Sequence, residues 1–141
     1  MSIDTMVAHG RVDRVLPSPS HAMRLLTDAA NHIEAARVIA ALDPNGGFQL
    51  AYDAGRKAAS SILAAQGLRA TSKGGHVATI AAMRELDVDG FAPLDRMRRK
   101  RNQLEYPDET DAPATEADVL EAVASASGML AVARQWFIDV A

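Results

Sequence analysis

Towards the C-terminus, apolar residues recur at alternating steps of four and three. They lie at seven positions: Val119, Val123, Ala126, Leu130, Ala133, Phe137 and Val140. This spacing keeps them all on one face of an α-helix, because residues three or four apart are neighbours on the helix surface. Thr115 precedes the run, and Asp118 lies three residues after Thr115, a spacing typical of a capping box. The pattern predicts one long packed helix from Thr115 to about residue 140.

The composition favours helices throughout the chain. Of its 141 residues, 28 are alanine and only 4% are aromatic. Alanine has the highest helix propensity and a low strand propensity. The chain is 48% hydrophobic and 23% charged, which is typical of one soluble globular domain. We therefore expect an all-α fold, an antiparallel bundle of four to five helices, and no strand.

Start and stop signals divide the rest of the chain into four shorter helices. Ser18 and Pro19 form a typical helix start, and residues 43–47 (DPNGG) form a break. Gly67 suits a left-handed helix terminator, and Pro107 ends the helix before it. These signals predict helices over 18–42, 48–66, 76–86 and 93–106.

The same reasoning sets the expected domain organisation. Residues 1–17 lack sustained periodicity, which predicts a flexible N-terminal arm before a single helical-bundle domain at 18–141. The sequence contains neither an apolar run of membrane-spanning length nor a signal peptide, so we expect no membrane contact and a cytoplasmic protein. It has no cysteine, and its four histidines are scattered, so we predict no metal site and no cofactor.

Charge is distributed unevenly along the chain. Residues 1–101 carry 14 basic and 10 acidic side chains, whereas residues 102–141 carry one basic and eight acidic side chains. Five of the six residues at 96–101 are Arg or Lys. Such asymmetry is typical either of a surface that binds a polyanion or of helices that attract one another.

Helical geometry singles out Arg101 within this basic run. At 100° per residue it falls inside the apolar seam of the predicted helix, which consists of Leu94, Met97 and Leu104. Burying an unpaired charge is costly, so an arginine in a seam needs a partner or a ligand. Glu105, four residues later, can supply the partner as an ion pair.

A ligand is the other explanation for the same positions. Arg98, Arg101, Asn102 and Tyr106 form one polar strip beside the seam, with Glu105 among them. Arginine side chains bind phosphate oxygens through a planar fork of N–H donors, and the amide and hydroxyl groups add further hydrogen bonds. The strip is therefore explained equally well by an anion pocket that holds phosphate oxygens and by the Arg101–Glu105 ion pair at a packing interface. Arg96, Arg99 and Lys100, which lie outside the strip, are interpreted as solvated charges.

The run Arg-Asn-Gln-Leu-Glu-Tyr at 101–106 resembles the HEPN superfamily. The segment 52–59 (YDAGRKAA) and His76 at the start of the third helix look like earlier landmarks of that family. The resemblance implies a small, usually dimeric helical bundle, in which Glu105 and His76 support the site. Many members are ribonuclease toxins of bacterial toxin–antitoxin pairs, and others accompany nucleotidyltransferases. It thus implies RNA or a nucleotide as ligand, a homodimer, and an antitoxin or nucleotidyltransferase as partner.

The chain departs from the family motif at one position. The motif ends in histidine where this sequence has Tyr106. Histidine, with a pKa near 6.5, exchanges protons at neutral pH, whereas tyrosine, near 10, is a poor base. The resemblance therefore favours a binding domain. One alternative is an active, metal-independent endoribonuclease with Arg101 and Tyr106 as catalytic residues; another is a non-catalytic bundle that docks an acidic protein.

Overall fold

The computed structural model describes residues 2–141 and contains six helices and two short strands. In chain order they are α1 (Ile3–Ala8), β1 (Val12–Arg14), α2 (Pro19–Ile39), α3 (Pro44–Ala65), β2 (Leu68–Ala70), α4 (Gly75–Glu85), α5 (Pro93–Glu105) and α6 (Glu116–Val140). The all-α prediction is confirmed, and α2 to α6 correspond to the five helices expected from the sequence. No helix among the described residues is both long and apolar enough to cross a membrane.

The helix α3 lies at the centre of the bundle and contacts α2, α4, α5 and α6. Its small residues allow this, because Ala51, Ala54, Ala58 and Ala59 are fully buried and let neighbouring helices approach closely. At Gly55 a Cβ atom would lie 2.8 Å from the Met129 methyl group of α6 and 3.2 Å from a Leu94 methyl group of α5. Glycine at this position therefore lets α5 and α6 pack directly against α3.

Side-chain caps fix where the long helices begin. The Ser18 hydroxyl accepts a hydrogen bond from the His21 N–H at 3.2 Å, and Thr115 and Asp118 form the predicted capping box. The predicted break at 43–47 is shorter than expected. Asp43 accepts from the Gly46 N–H at 3.0 Å and caps α3, so the helix already begins at Pro44.

The N-terminal segment is where the structure departs most from the sequence prediction. Instead of a flexible arm, α1 and β1 pack onto the bundle, and Met6 and Val12 are buried. The prediction of no strand was also wrong, because β1 pairs antiparallel with β2, with Val12 opposite Ala70. Strands of three residues are too short to show an alternating pattern, and these two lie more than 50 residues apart.

A core substitution on α5 tests how firmly this helix is held. Leu94 is fully buried beside Gly55, so Leu94→Ala should lower the free energy of unfolding by about 2–5 kcal/mol. Urea unfolding followed by circular dichroism measures the change. Leu42→Ala is the matched control, because Leu42 is 87% exposed and its truncation should cost less than about 0.5 kcal/mol. Equal losses in the two variants would contradict the packing described for α5.

Candidate functional site

Of the predicted polar strip of α5, two residues point into the protein. The side chains of Arg98 and Arg101 are only 21% and 24% exposed. Arg101 forms the expected ion pair with Glu105, with 2.8 Å between Nη1 and Oε2. Asn102 and Tyr106 are exposed, Tyr106 by 78%, so they lie at the rim of the site.

The other basic residues of α5 lie on different sides of the helix. Arg99 is 68% exposed and pairs with Asp95 at 3.0 Å. Arg96 and Lys100 line a small cleft on the α6 side, which Asp118 and Glu121 also line. The sequence interpretation of these three residues as charges outside the site agrees with their positions.

A hydrogen-bonded pair from α3 and α4, buried Tyr52 and half-buried His76, lies beside the α5 arginines. Tyr52 is fully buried, and its hydroxyl lies 2.6 Å from Nδ1 of His76, with 5.4 Å between the ring centroids. Both Arg98 and Arg101 are near enough to act electrostatically on this pair. The structure thus brings Tyr52 of α3 and His76 of α4 close to the arginines of α5.

The hydrogen bond from Tyr52 determines which nitrogen of His76 carries the proton. Burial raises the pKa of Tyr52 to about 12, so its hydroxyl is protonated at neutral pH. His76 is the sole hydrogen-bond partner of this hydroxyl among residues 2–141, so the hydroxyl donates to Nδ1. A neutral imidazole whose Nδ1 accepts a hydrogen bond carries its proton on Nε2. His76 therefore offers an Nε2–H donor.

His76 is also held in the neutral form. Burial lowers its pKa, and the positive charges of Arg56 and Arg101 lower it further, against an opposing effect of Asp53. Protonation at Nδ1 would also leave the buried Tyr52 hydroxyl without an acceptor, which is unfavourable. At neutral pH His76 is thus an uncharged hydrogen-bond donor and not a ready proton acceptor.

Arg56 of α3 completes the site, and the sequence analysis did not include it among the site residues. Its Nε atom is buried and has no hydrogen-bond partner among residues 2–141. Its guanidinium lies 3.6 Å from Asp53, and its side chain is 28% exposed. Arg56 follows Tyr52 by four residues, so the helical projection that identified Arg101 on α5 would have identified Arg56 on α3. We refer to Arg56, His76, Arg98 and Arg101 as the basic cluster.

Acidic neighbours compensate the basic cluster incompletely. Arg56 forms an ion pair with Asp53, and Arg101 forms one with Glu105. Asp95 forms ion pairs with both Arg98 and Arg99. The three guanidinium groups of the cluster therefore face three carboxylates, and the exposed Arg99 competes for one of them, Asp95. Each guanidinium has five N–H donors, and each of these ion pairs uses only one or two of them. The remaining N–H donors can bind an anion with several oxygens, such as a phosphate.

Comparisons with protein-family models, with curated proteins and with solved structures find no match for this chain. Among residues 2–141, no three His, Asp or Glu side chains are grouped so that they could hold a metal ion.

The assignment of the His76 proton can be tested by nitrogen NMR. At pH 7 the long-range ¹H–¹⁵N couplings of His76 should show the Nε2–H tautomer, and its titration midpoint should lie below the ordinary value of about 6.5. Tyr52→Phe removes the donor to Nδ1, so the share of the Nε2–H tautomer should fall while the circular dichroism spectrum stays helical. A dominant Nδ1–H tautomer in the wild type would contradict the assignment.

Proposed function

We propose that this chain is a HEPN-like helical domain that binds RNA or a nucleotide through a phosphate at the basic cluster. One observation carries the proposal: three arginines from two different helices converge on a neutral histidine donor. Arg56 comes from α3, Arg98 and Arg101 from α5, and His76 from the start of α4. Because the four side chains come from three helices, the bundle itself arranges them before a ligand arrives.

The chemistry of the cluster suits phosphate well. Guanidinium groups bind phosphate oxygens through two parallel hydrogen bonds, and partial burial strengthens these bonds relative to water. The unpartnered Nε of Arg56 and the Nε2–H of His76 add donors without adding acceptors. A site with many N–H donors favours an anion with several oxygens.

The rim of the site favours a nucleic acid over an isolated phosphate ion. Tyr106 is 78% exposed at the C-terminal end of α5, within six residues of Arg101. An exposed aromatic ring next to a basic site can stack on an unpaired base. RNA that is anchored by a phosphate at Arg101 would have its neighbouring base within reach of this ring.

The alternative of a protein-docking bundle has less support. The α5 ion pairs are formed with Asp95 and Glu105 of the same helix. The contact from α5 to the acidic loop 107–114 is a hydrogen bond from Gln103 to Asp111 at 3.0 Å, so the basic side chains do not use this loop as a partner. Three further parts of the proposal rest only on the resemblance to the HEPN superfamily. They are a homodimer, an antitoxin or nucleotidyltransferase partner, and a role in a bacterial toxin–antitoxin or stress-related system.

The geometry also supports a proposal of binding without cleavage. His76 receives a hydrogen bond at Nδ1 and carries its proton on Nε2, so it donates to a phosphate more readily than it removes a proton from a ribose hydroxyl. Tyr106 is 78% exposed to solvent, and a phenol is a weaker general base than an imidazole at neutral pH. The basic cluster therefore supports a binding role for this chain better than ribonuclease activity.

Arg101 and Arg99 give a matched test of the proposed site. Arg101→Ala should weaken binding of a single-stranded RNA by about tenfold or more, because charge-assisted hydrogen bonds to phosphate are lost. Arg99→Ala removes the same charge from the same helix at an exposed position and should weaken binding less than about threefold. Fluorescence anisotropy at several salt concentrations measures both affinities, and circular dichroism confirms the helical content. Equal losses would show that RNA merely follows the overall charge of α5.

Tyr106 tests the role of the rim and separates binding from catalysis. Tyr106→Ala should cost about 1–3 kcal/mol of RNA binding through lost stacking, whereas Tyr106→Phe keeps the ring and should bind RNA nearly as well as wild type. Wild type should leave the RNA intact in the presence of EDTA, as judged on a denaturing gel. Cleavage by wild type that is lost in Tyr106→Phe while binding persists would replace the proposal with the ribonuclease alternative.

A further inference from the structure

A separate cleft of about 640 Å³ opens beside the basic cluster, between α2, α3, β2 and α4. We call it the side cleft. Its volume falls within the range of small-molecule sites in proteins. It shares Arg56 and His76 with the basic cluster, but Arg98 and Arg101 do not line it. The side cleft therefore has a chemistry of its own, which the proposed RNA site does not explain.

The polarity of the side cleft changes along α3. Arg56, Ser60, Leu63 and Ala64 lie on one face of the helix and all line the cleft. Eight residues of α-helix separate the first from the last, which corresponds to about 12 Å. Over this distance the lining changes from a charged group to a hydroxyl and then to aliphatic side chains.

The other elements that line the cleft follow this division in part. His76 and Thr79 of α4 lie at the Arg56 end of the cleft. This position follows from the hydrogen bond between His76 and Tyr52, because Tyr52 lies one helical turn before Arg56 on α3. Leu68 of β2 lies at the Leu63 end of the cleft, just after α3 ends. Val15 lies at the same end, because its N–H donates to the Gly67 carbonyl at 2.8 Å. Ser18, His21 and Arg69 also line the leucine-rich end, but Arg69 is 68% exposed and paired with Asp13 at 3.3 Å. The arginine with a buried, unpartnered donor is therefore Arg56, at the opposite end from the leucines.

Two further features describe what the aliphatic end would accept. Leu16 lines this end and is 89% exposed, so it offers an apolar surface that no part of residues 2–141 covers. No Phe, Tyr or Trp side chain lines the cleft. A nucleobase is usually held by stacking on an aromatic ring, whereas an alkyl chain packs well against leucine side chains.

We propose that the side cleft binds a medium-chain aliphatic carboxylate, with the carboxylate at Arg56 and His76 and the alkyl chain along Leu63 towards Leu16. The planar fork of a guanidinium matches a carboxylate in geometry and charge. The head group would use donors of Arg56 that its 3.6 Å contact with Asp53 leaves free. The alkyl chain would cover the exposed Leu16 side chain.

Octanoate is the probe for this site, measured by isothermal titration calorimetry. Two control ligands separate its parts: octan-1-ol has the chain without the charge, and acetate has the charge without the chain. Octanoate should bind at least about tenfold more tightly than either control, since it alone satisfies both ends of the cleft. Failure of octanoate to bind, or equal binding of octan-1-ol, would overturn the proposal.

Two variants locate the binding in the side cleft. Ser60→Phe fills the middle of the cleft and should abolish octanoate binding. Leu16→Ser should weaken it by at least about fourfold, as expected for the loss of one to two buried methylene groups, and the exposed side chain makes unfolding no concern. Leu42→Ser is the matched control, because Leu42 is equally exposed, at 87%, and lies outside the cleft. Equal effects of Leu16→Ser and Leu42→Ser, or unchanged binding in Ser60→Phe, would overturn the assignment.

The same variants keep this proposal separate from RNA binding. Ser60 and Leu16 lie outside the basic cluster, so both variants should bind single-stranded RNA as wild type does. Loss of octanoate binding with RNA binding retained supports the side cleft as a second site. Displacement of octanoate by uridine, which has no phosphate for the basic cluster, would show that the cleft accepts a nucleoside, and it would overturn the aliphatic ligand.

Discussion

The close approach of α5 and α6 to α3 at Gly55 is the contact on which the site depends. Leu94 and Met129 both occupy the space that a side chain at position 55 would need. Leu94 is fully buried and Met97 nearly so, which fixes the rotation of α5 about its axis. With that rotation fixed, Arg101, one turn beyond Met97, has to lie at the edge of the same seam. The position of the arginines is thus a consequence of apolar packing, and their charge is tolerated because Glu105 and Asp95 lie on the same helix.

Burial also determines the chemical state of the pair next to these arginines. A tyrosine hydroxyl with no access to water must find an acceptor within the protein, and Tyr52 finds Nδ1 of His76. That single hydrogen bond sets the tautomer of His76, and the surrounding positive charge opposes its protonation. A histidine at this location is therefore a fixed, neutral donor. An unpaired histidine nitrogen could instead accept a proton, so the hydrogen bond from Tyr52 favours a donor role for His76 over a role as a base.

The sequence predicted the features that depend on neighbours along the chain. The capping box at Thr115, the end of α5 before Pro107 and the Arg101–Glu105 pair all involve residues at most four positions apart, where helical geometry fixes the distance. The features it missed join distant segments. The β1–β2 pairing connects Val12 with Ala70, and the contact between Tyr52 and His76 depends on how α4 packs against α3. A helical projection of α3 would have placed Arg56 on the same face as Tyr52. Its place in the basic cluster, however, depends on the packing of α5 against α3, which the sequence does not give.

Arg56 belongs to both proposed sites, and this has a thermodynamic consequence. Its single positive charge and its free donors can serve either a phosphate at the basic cluster or a carboxylate in the side cleft. Two anions beside the same guanidinium repel each other, so each lowers the affinity of the protein for the other. Linkage makes this effect reciprocal: the factor by which a carboxylate weakens RNA binding equals the factor by which RNA weakens carboxylate binding. If both sites are occupied in the cell, the chain responds to the concentration of a small acid by releasing RNA, without any change in its fold.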